Sequence, residues 1–194
     1  MYDTTKPSNA IVKEQMKRTW ENNRWLSVID GPYPLFRKKI DLLQWDLDHT
    51  DGIGTKGVFH WKYRTFRNAV IDAMAMNLND MLMARARPYK IQNHITLPED
   101  DLDAVAAIAT ALADECIPRS IVMTGGETSV HDTAEGMDLS VTMSGFIVDR
   151  YTNKFSPGSV LVGLASSGLH CNGFTLARKV GKFRESWLTP TRVY

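Results

Sequence analysis

Residues 138–148 alternate with a period of two. Leu139, Val141 and Met143 fall on one side of the run, and Ser140, Thr142 and Ser144 on the other. A strand patterned this way keeps one face on a core and one toward water, as antiparallel sheets do and fully buried parallel sheets do not. Helices are then needed on one face of the sheet only, and the apolar spacing supplies them. Val12, Met16 and Trp20 predict a helix over Asn9 to about Trp25 behind Ser8 as N-cap. Phe66, Val70, Ala73, Met74, Leu78, Met81 and Leu82 predict a second, ending before Pro88. Leu102, Val105, Ile108, Ala109, Leu112, Ala113 and Cys116 predict a third. Pro98 and the acids Glu99, Asp100, Asp101 and Asp103 open it, and Pro118 ends it. A short helix is expected over Phe174–Val180. Strands are expected at 42–48, 90–96, 121–123 and 160–165, and another begins near 188–194. This order predicts an α+β fold, a mostly antiparallel sheet covered by helices.

The 194 residues suffice for one good-sized domain, or one and part of another, and the net charge of +1 gives no argument for nucleic acid. The N-terminus lacks an apolar signal core and no apolar run approaches spanning length, so neither export nor a membrane is expected. Cys116 and Cys171, far apart and without metal-type spacing, predict neither a disulfide framework nor a zinc site, in keeping with a cytoplasmic protein.

Three segments place polar groups at the ends of these elements. Asp51-Gly52-Ile53-Gly54-Thr55-Lys56-Gly57 follows the first long strand. Such a run is either a tight turn with surface charges or a backbone cradle for phosphate, with Lys56 as a point charge and Asp51 as a hard ligand for Mg²⁺. It does not match the Walker pattern. Asp72 and Asn79, seven residues apart, share a face of the second helix, with Asp80 beside them. They are either its exposed edge or part of a site. Gly125-Gly126-Glu127-Thr128 reads as a second strand-to-glycine turn with an acid at its tip. A fourth segment, Ser166-Ser167-Gly168-Leu169-His170-Cys171-Asn172-Gly173, leads into a helix, and its hydroxyls and glycines suit a phosphate. His170 there is either a structural hydrogen-bonder or a proton-transfer group. Hard oxygen ligands next to backbone-donor loops are what Mg²⁺ with a nucleoside triphosphate requires.

In this order, and with Pro190-Thr191-Arg192-Val193-Tyr194 at the end, the segments resemble those of the PurM-type aminoimidazole ribonucleotide synthetases, also called phosphoribosylformylglycinamidine cyclo-ligases. The resemblance covers about residues 40–194. It implies ATP- and Mg²⁺-dependent ring closure of formylglycinamidine ribonucleotide to aminoimidazole ribonucleotide in purine biosynthesis, and a homodimer whose sheets pair across the interface. The resemblance also implies a site. Asp51, Gly52, Gly54, Thr55, Lys56, Asn79, Asp80, Gly125, Gly126, Glu127 and Thr128 correspond to the ATP site, with Asp51, Asp80 and Glu127 on the metal. Ser166, Ser167, Gly168, His170 and Asn172 correspond to the substrate loop, and Asp51, Lys56 and His170 to the catalytic group. Residues 1–158 then form an ATP-binding and dimerisation domain, and 159–194 the beginning of a second domain. Two departures stand out. The family's early glycine-rich segment is replaced by Asp30-Gly31-Pro32-Tyr33-Pro34, and the second domain has barely begun where the sequence stops. A fragment, a half that works with a separate C-terminal-domain chain, and a short natural form all fit. So do two other readings: another ATP-using member of the superfamily, such as a thiamine-phosphate kinase or a hydrogenase-maturation protein, and a non-catalytic dimerisation relative.

Overall fold

The structure, a computed structural model, describes residues 7–31, 34–39, 44–149 and 154–194. In chain order the elements are α1 (Pro7–Trp20), β1 (Leu26–Ile29), β2 (Leu35–Lys38), β3 (Asp46–Gly52), α2 (Lys56–Lys62), α3 (Phe66–Met83), β4 (Ala86–Leu97), α4 (Leu102–Cys116), β5 (Val122–Val130), β6 (Asp138–Ile147) and α5 (Phe174–Val180). β1 and β2 form an antiparallel hairpin of their own. The main sheet has the order β3-β6-β4-β5. β6 is antiparallel to both neighbours, but β4 and β5 run parallel, so the sheet is mixed and not antiparallel throughout. The α4 crossover produces the parallel pair: it carries the chain from the end of β4 back to the start of β5, as a parallel connection requires.

The alternation read in residues 138–148 holds. Leu139, Val141 and Met143 are fully buried, and they join Ile91, Ile95, Leu97 and Met123 of the neighbouring strands in one core with α3 and α4. Each such side chain contributes roughly 1.5–3 kcal/mol by leaving water. α3 packs on β3, β6 and β4, α1 packs on β5, and α4 stacks against both helices. The other face is polar along Ser140, Thr142 and Ser144, and beyond them Phe146 packs on it with Leu26, Tyr89 and Val122. Thr50 meets Thr142 there, and Ser144 accepts from Lys90 and donates to Asp48.

Several boundaries differ from the expected ones. α1 starts at Pro7, so Ser8 lies inside it, and it stops at Trp20, where the turn into the hairpin begins; Asn22 there has φ +52°. The strand expected at 42–48 runs from Asp46 to Gly52, and residues 42 and 43 lie outside the described residues. Pro98 does not open α4. Asp101 caps it instead, its side chain accepting from the Ala104 N–H at 2.8 Å.

Gly125 and Gly126 lie within β5 and form no turn. Met123 pairs with Ile91 and Gly125 with Gln92, which leaves Thr124 as the extra residue of a bulge, its hydroxyl donating to the Ile91 carbonyl. Glycine is needed at 126 because a Cβ there would stand 2.5 Å from the Asn93 carbonyl. Residues 160–165 form no strand. Val160, Leu161, Val162 and Leu164 are exposed, because no other strand among the described residues pairs with them. Residues 188–194 likewise run beside α3 without joining a sheet. No helix among the described residues is long and apolar enough to cross a membrane.

Candidate functional site

Asp51 and Gly52 end β3, and Asp51 Oδ1 accepts from the Gly52 N–H at 2.7 Å. The chain then turns directly into α2, a helix hidden in the sequence by its glycines. Gly57 packs so closely that a Cβ would stand 2.1 Å from the Met137 carbonyl. This geometry sends Lys56 inward. Its side chain is 0% exposed and its ammonium lies 2.7 Å from Asp72, itself 0% exposed. Lys56 Nζ also donates to the carbonyls of Leu169 and Thr189, at 2.9 and 3.3 Å. Asp72 is bonded by His60 Nε2 at 3.1 Å and by the Thr191 N–H at 2.8 Å. Burial pushes the Asp72 carboxyl up. The His60 hydrogen bond, the Lys56 charge and the Thr191 N–H outweigh that and hold it below its ordinary value.

α3 presents a polar stripe on this side. Asn68 donates to the Leu188 carbonyl at 3.0 Å. Asn79 donates to the Arg192 carbonyl at 3.0 Å and accepts from the Tyr194 N–H at 3.1 Å. With Asp72 between them, three side chains hold the backbone of residues 188–194. The pairing of Asp72 with Asn79 along one helix face was legible in the sequence. What the face holds was not.

Asp80 lies one position further round, half exposed, 2.9 Å from His49 Nε2. The other ring nitrogen of His49 lies 2.9 Å from Asn77 Oδ1, and Asn77 Nδ2 donates to the Asp51 carbonyl. Asp51 is two residues along β3 from His49, hence on the same face. Asp80 is thus linked to the Asp51 backbone through His49 and Asn77, residues that carried no motif signal.

Glu127 is elsewhere. Register aligns Asp51 with Val141, Val141 with Asn93 and Asn93 with Gly126, so β5 lies three strand spacings from β3, about 14 Å. Oxygens sharing one Mg²⁺ stand within about 4 Å of each other. Within one chain the structure does not bring Asp51, Asp80 and Glu127 onto one ion, and no cluster of three His, Cys, Asp or Glu side chains suited to a metal occurs among the described residues. Asp51 and Asp80 supply hard oxygens that fit part of a Mg²⁺ donor set. Lys56, fully enclosed by protein partners, is not presented to a phosphate.

The Ser166–Asn172 loop does meet the Asp51–Gly57 stretch. Lys56 holds its Leu169 carbonyl, and Thr55 Oγ1 is 2.6 Å from Thr175 Oγ1 at the start of α5. Ser166 bonds the Gly168 carbonyl, and Ser167 bonds the Pro190 carbonyl at 2.7 Å. His170 is exposed and accepts from the Asn172 N–H. Cys171 is buried and burial pushes its thiol up to about 12; Cys116 is shifted the same way, and both are free. Phe59 of α2 packs edge-on against Phe174 and stacks on Phe183.

At the opposite edge of the sheet a cleft of about 320 Å³ opens between α1 and the bulged part of β4 and β5. Val12 and Met16 form its apolar side, and Gln92, Asn93, Thr124 and Gly125–Thr128 line the other. Asn93 is 6% exposed and its Nδ2 has no partner.

The mixed sheet backed by helices, with acids at the ends of β3 and α3, defines an α+β domain. The chain belongs to the family described as AIR synthase related protein, N-terminal domain, whose model matches residues 43–147. It is 36% identical over 162 residues to a phosphoribosylformylglycinamidine cyclo-ligase of Thermococcus kodakarensis, a match covering 75% of this chain and 48% of that protein. The chain thus spans about half the length of that relative. Among solved structures, the fold resembles a thiamine-monophosphate kinase from Stenotrophomonas maltophilia (TM-score 0.55, 23% identity, 70% of this chain and 41% of that one). It also resembles a hydrogenase maturation protein, HypE, in complex with ATP (TM-score 0.52, 18% identity, 74% and 41%).

Proposed function

We propose that this chain is the ATP-binding and dimerisation portion of a phosphoribosylformylglycinamidine cyclo-ligase, closing formylglycinamidine ribonucleotide to aminoimidazole ribonucleotide in purine biosynthesis. The observation that carries the proposal is the 36% identity to a cyclo-ligase over 75% of the chain. The Ser166–Asn172 loop and the Pro190–Tyr194 ending support the cyclo-ligase over other superfamily members. ATP supplies the phosphoryl group that activates the amide oxygen of the substrate.

Asp51 and Asp80 are the hard-oxygen donors for Mg²⁺ in this reading. Glu127, at the other sheet edge, joins them from the partner copy of a homodimer. Lys56 acts as a positioning residue. It fixes the Leu169 carbonyl, and so holds the loop on which Ser166, Ser167, Gly168, His170 and Asn172 meet the substrate. Exposed His170 is the group on that loop able to move a proton. Residues 1–158 make the ATP domain and 159–194 belong to a second, with a separate C-terminal-domain chain as a partner. The setting is cytoplasmic.

Calorimetry with Mg-ATP tests the site, and Asp80→Ala is expected to weaken binding about tenfold. Equal binding by wild type and variant, or none by either, sinks the nucleotide assignment. Turnover is expected only when a C-terminal-domain chain is added, and a mixture without activity counts against the split arrangement.

A further inference from the structure

Three steps in the chain place an aspartate or asparagine before a glycine: Asp30-Gly31, Asp51-Gly52 and Asn172-Gly173. At such a step the glycine nitrogen lies within reach of the preceding side-chain carbonyl carbon, where a five-membered ring closes. A side chain on the following residue obstructs that approach, and glycine has none. Every other asparagine is followed by a residue that carries a side chain.

The fold treats the three steps differently. Asp30 lies 2.8 Å from Lys13 and 2.6 Å from Lys17, whose hydrogen bonds lower its carboxyl to about 2. A carboxylate held ionised in this way resists attack, because it has no leaving group. Asp51 and Gly52 are paired along β3 with Val141 and Ser140, and a Cβ on Gly52 would stand 2.9 Å from the Leu139 carbonyl, so this backbone has no room to turn. Asn172 is exposed, and its hydrogen bond runs from the backbone N–H to His170 Nδ1 at 3.1 Å. That leaves its side-chain amide without a partner among the described residues. The Asn68 and Asn79 amides, by contrast, are each taken by a backbone carbonyl. Gly173 is exposed as well, with φ +83° and nothing within 4 Å of its Cβ position.

We propose that Asn172-Gly173 is a self-modification site, where the chain converts its own amide to an acid and gives the Ser166–Asn172 loop a negative charge. The Gly173 nitrogen bonds to Asn172 Cγ and gives up its proton, the Cγ–Nδ2 bond breaks, and the amide nitrogen leaves with that proton as ammonia. Water then opens the resulting succinimide at one of its two carbonyls. Opening at the side-chain carbonyl leaves aspartate. Opening at the backbone carbonyl leaves isoaspartate, which routes the main chain through an extra methylene. The effect on ligand binding rests on the cyclo-ligase reading above: the substrate is a ribonucleotide, and a carboxylate on this loop repels its phosphate. The modification itself does not rest on that reading.

The whole chain, held at mildly alkaline pH either folded or unfolded in guanidinium, is followed by intact mass, peptide mapping and ammonia release. The peptide containing residue 172 is expected to gain the mass difference between an amide and an acid, with aspartate and isoaspartate both present. The folded chain is expected to react at no less than about a tenth of the unfolded rate, since an exposed turn needs only local opening. A slower folded rate overturns the inference. So does an Asn172→Gln variant, shown to be folded by its melting curve, that releases ammonia as fast as wild type. Formylglycinamidine ribonucleotide is then titrated by calorimetry into wild type and Asn172→Asp, and the variant is expected to bind about tenfold more weakly. Equal binding overturns the effect of the charge. No binding by either protein counts against the cyclo-ligase reading, while the mass record still decides the modification.

Discussion

Lys56 shows how a residue's chemistry depends on where its backbone points it. A lysine that follows Gly52 and Gly54 can be read from sequence as a phosphate ligand or as a surface charge on a turn. The close packing of Gly57 on Met137 and the start of α2 turn the side chain into the interior, where only Asp72 can balance its charge. Removing one partner of a buried ion pair leaves the other uncompensated, at a cost of about 3–5 kcal/mol. Lys56→Met is therefore expected to lower unfolding stability by about that amount in urea denaturation. A loss below about 1 kcal/mol would mean the pair is dispensable. The pair also sets a pH dependence. Because the folded Asp72 carboxyl is held below its ordinary value, the unfolded chain binds the proton first as pH falls. The stability Asp72 supplies is complete above the unfolded carboxyl value, about 4, and is lost as pH falls from there through the folded value. Asp72→Asn is expected to be less stable than wild type at neutral pH, with the gap narrowing below about pH 4. A constant gap would contradict this.

Elements whose apolar spacing is internal to them were legible. α3, α4 and α5 come out with nearly the expected limits, because helical periodicity and a nearby stop carry the information locally. Elements defined by a neighbour were not. The run at 160–165 has strand composition but, among the described residues, no strand beside it, and sheet hydrogen bonds cannot be made alone. β5 was cut short for the converse reason. Gly125-Gly126 signals a turn in isolation, while the Asn93 backbone one strand over is what demands the glycine. Of the candidate site, the structure links Asp80 to the Asp51 backbone. His49 and Asn77, which link them, and Asn93, which stands alone on β4, carry no motif and emerge only from packing. The two glycines give an internal comparison. Gly126→Ala forces a Cβ to 2.5 Å from a backbone oxygen and is expected to cost about 1–3 kcal/mol. Gly125→Ala meets only Gln92 Nε2 at 3.5 Å and is expected to change stability by less than about 0.5 kcal/mol. Equal effects in thermal unfolding would remove the close-approach argument.

On the scale of the whole molecule, the contacts of residues 166–194 with α2 and α3 set how much of the chain unfolds together. The last seven residues make no sheet, yet Asn68, Asp72, Asn79 and Lys56 take five of their backbone groups: the carbonyls of Leu188, Thr189 and Arg192, and the N–H groups of Thr191 and Tyr194. These bonds differ in burial. The Thr191 N–H bonds a carboxylate that is itself enclosed, so water reaches it only if the Lys56–Asp72 pair opens. The Tyr194 N–H bonds Asn79 at the surface, where local fraying suffices. Amide hydrogen exchange is expected to show Thr191 protected close to the global limit and Tyr194 exchanging much faster. Asn79→Ala should remove the remaining protection at Tyr194 and leave Thr191 unchanged. Loss of protection at both positions in that variant would show that the segment is held as one unit from its exposed end. Protection that survives at Thr191 places the anchor at the buried pair, which also carries the Ser166–Asn172 loop through the Leu169 carbonyl.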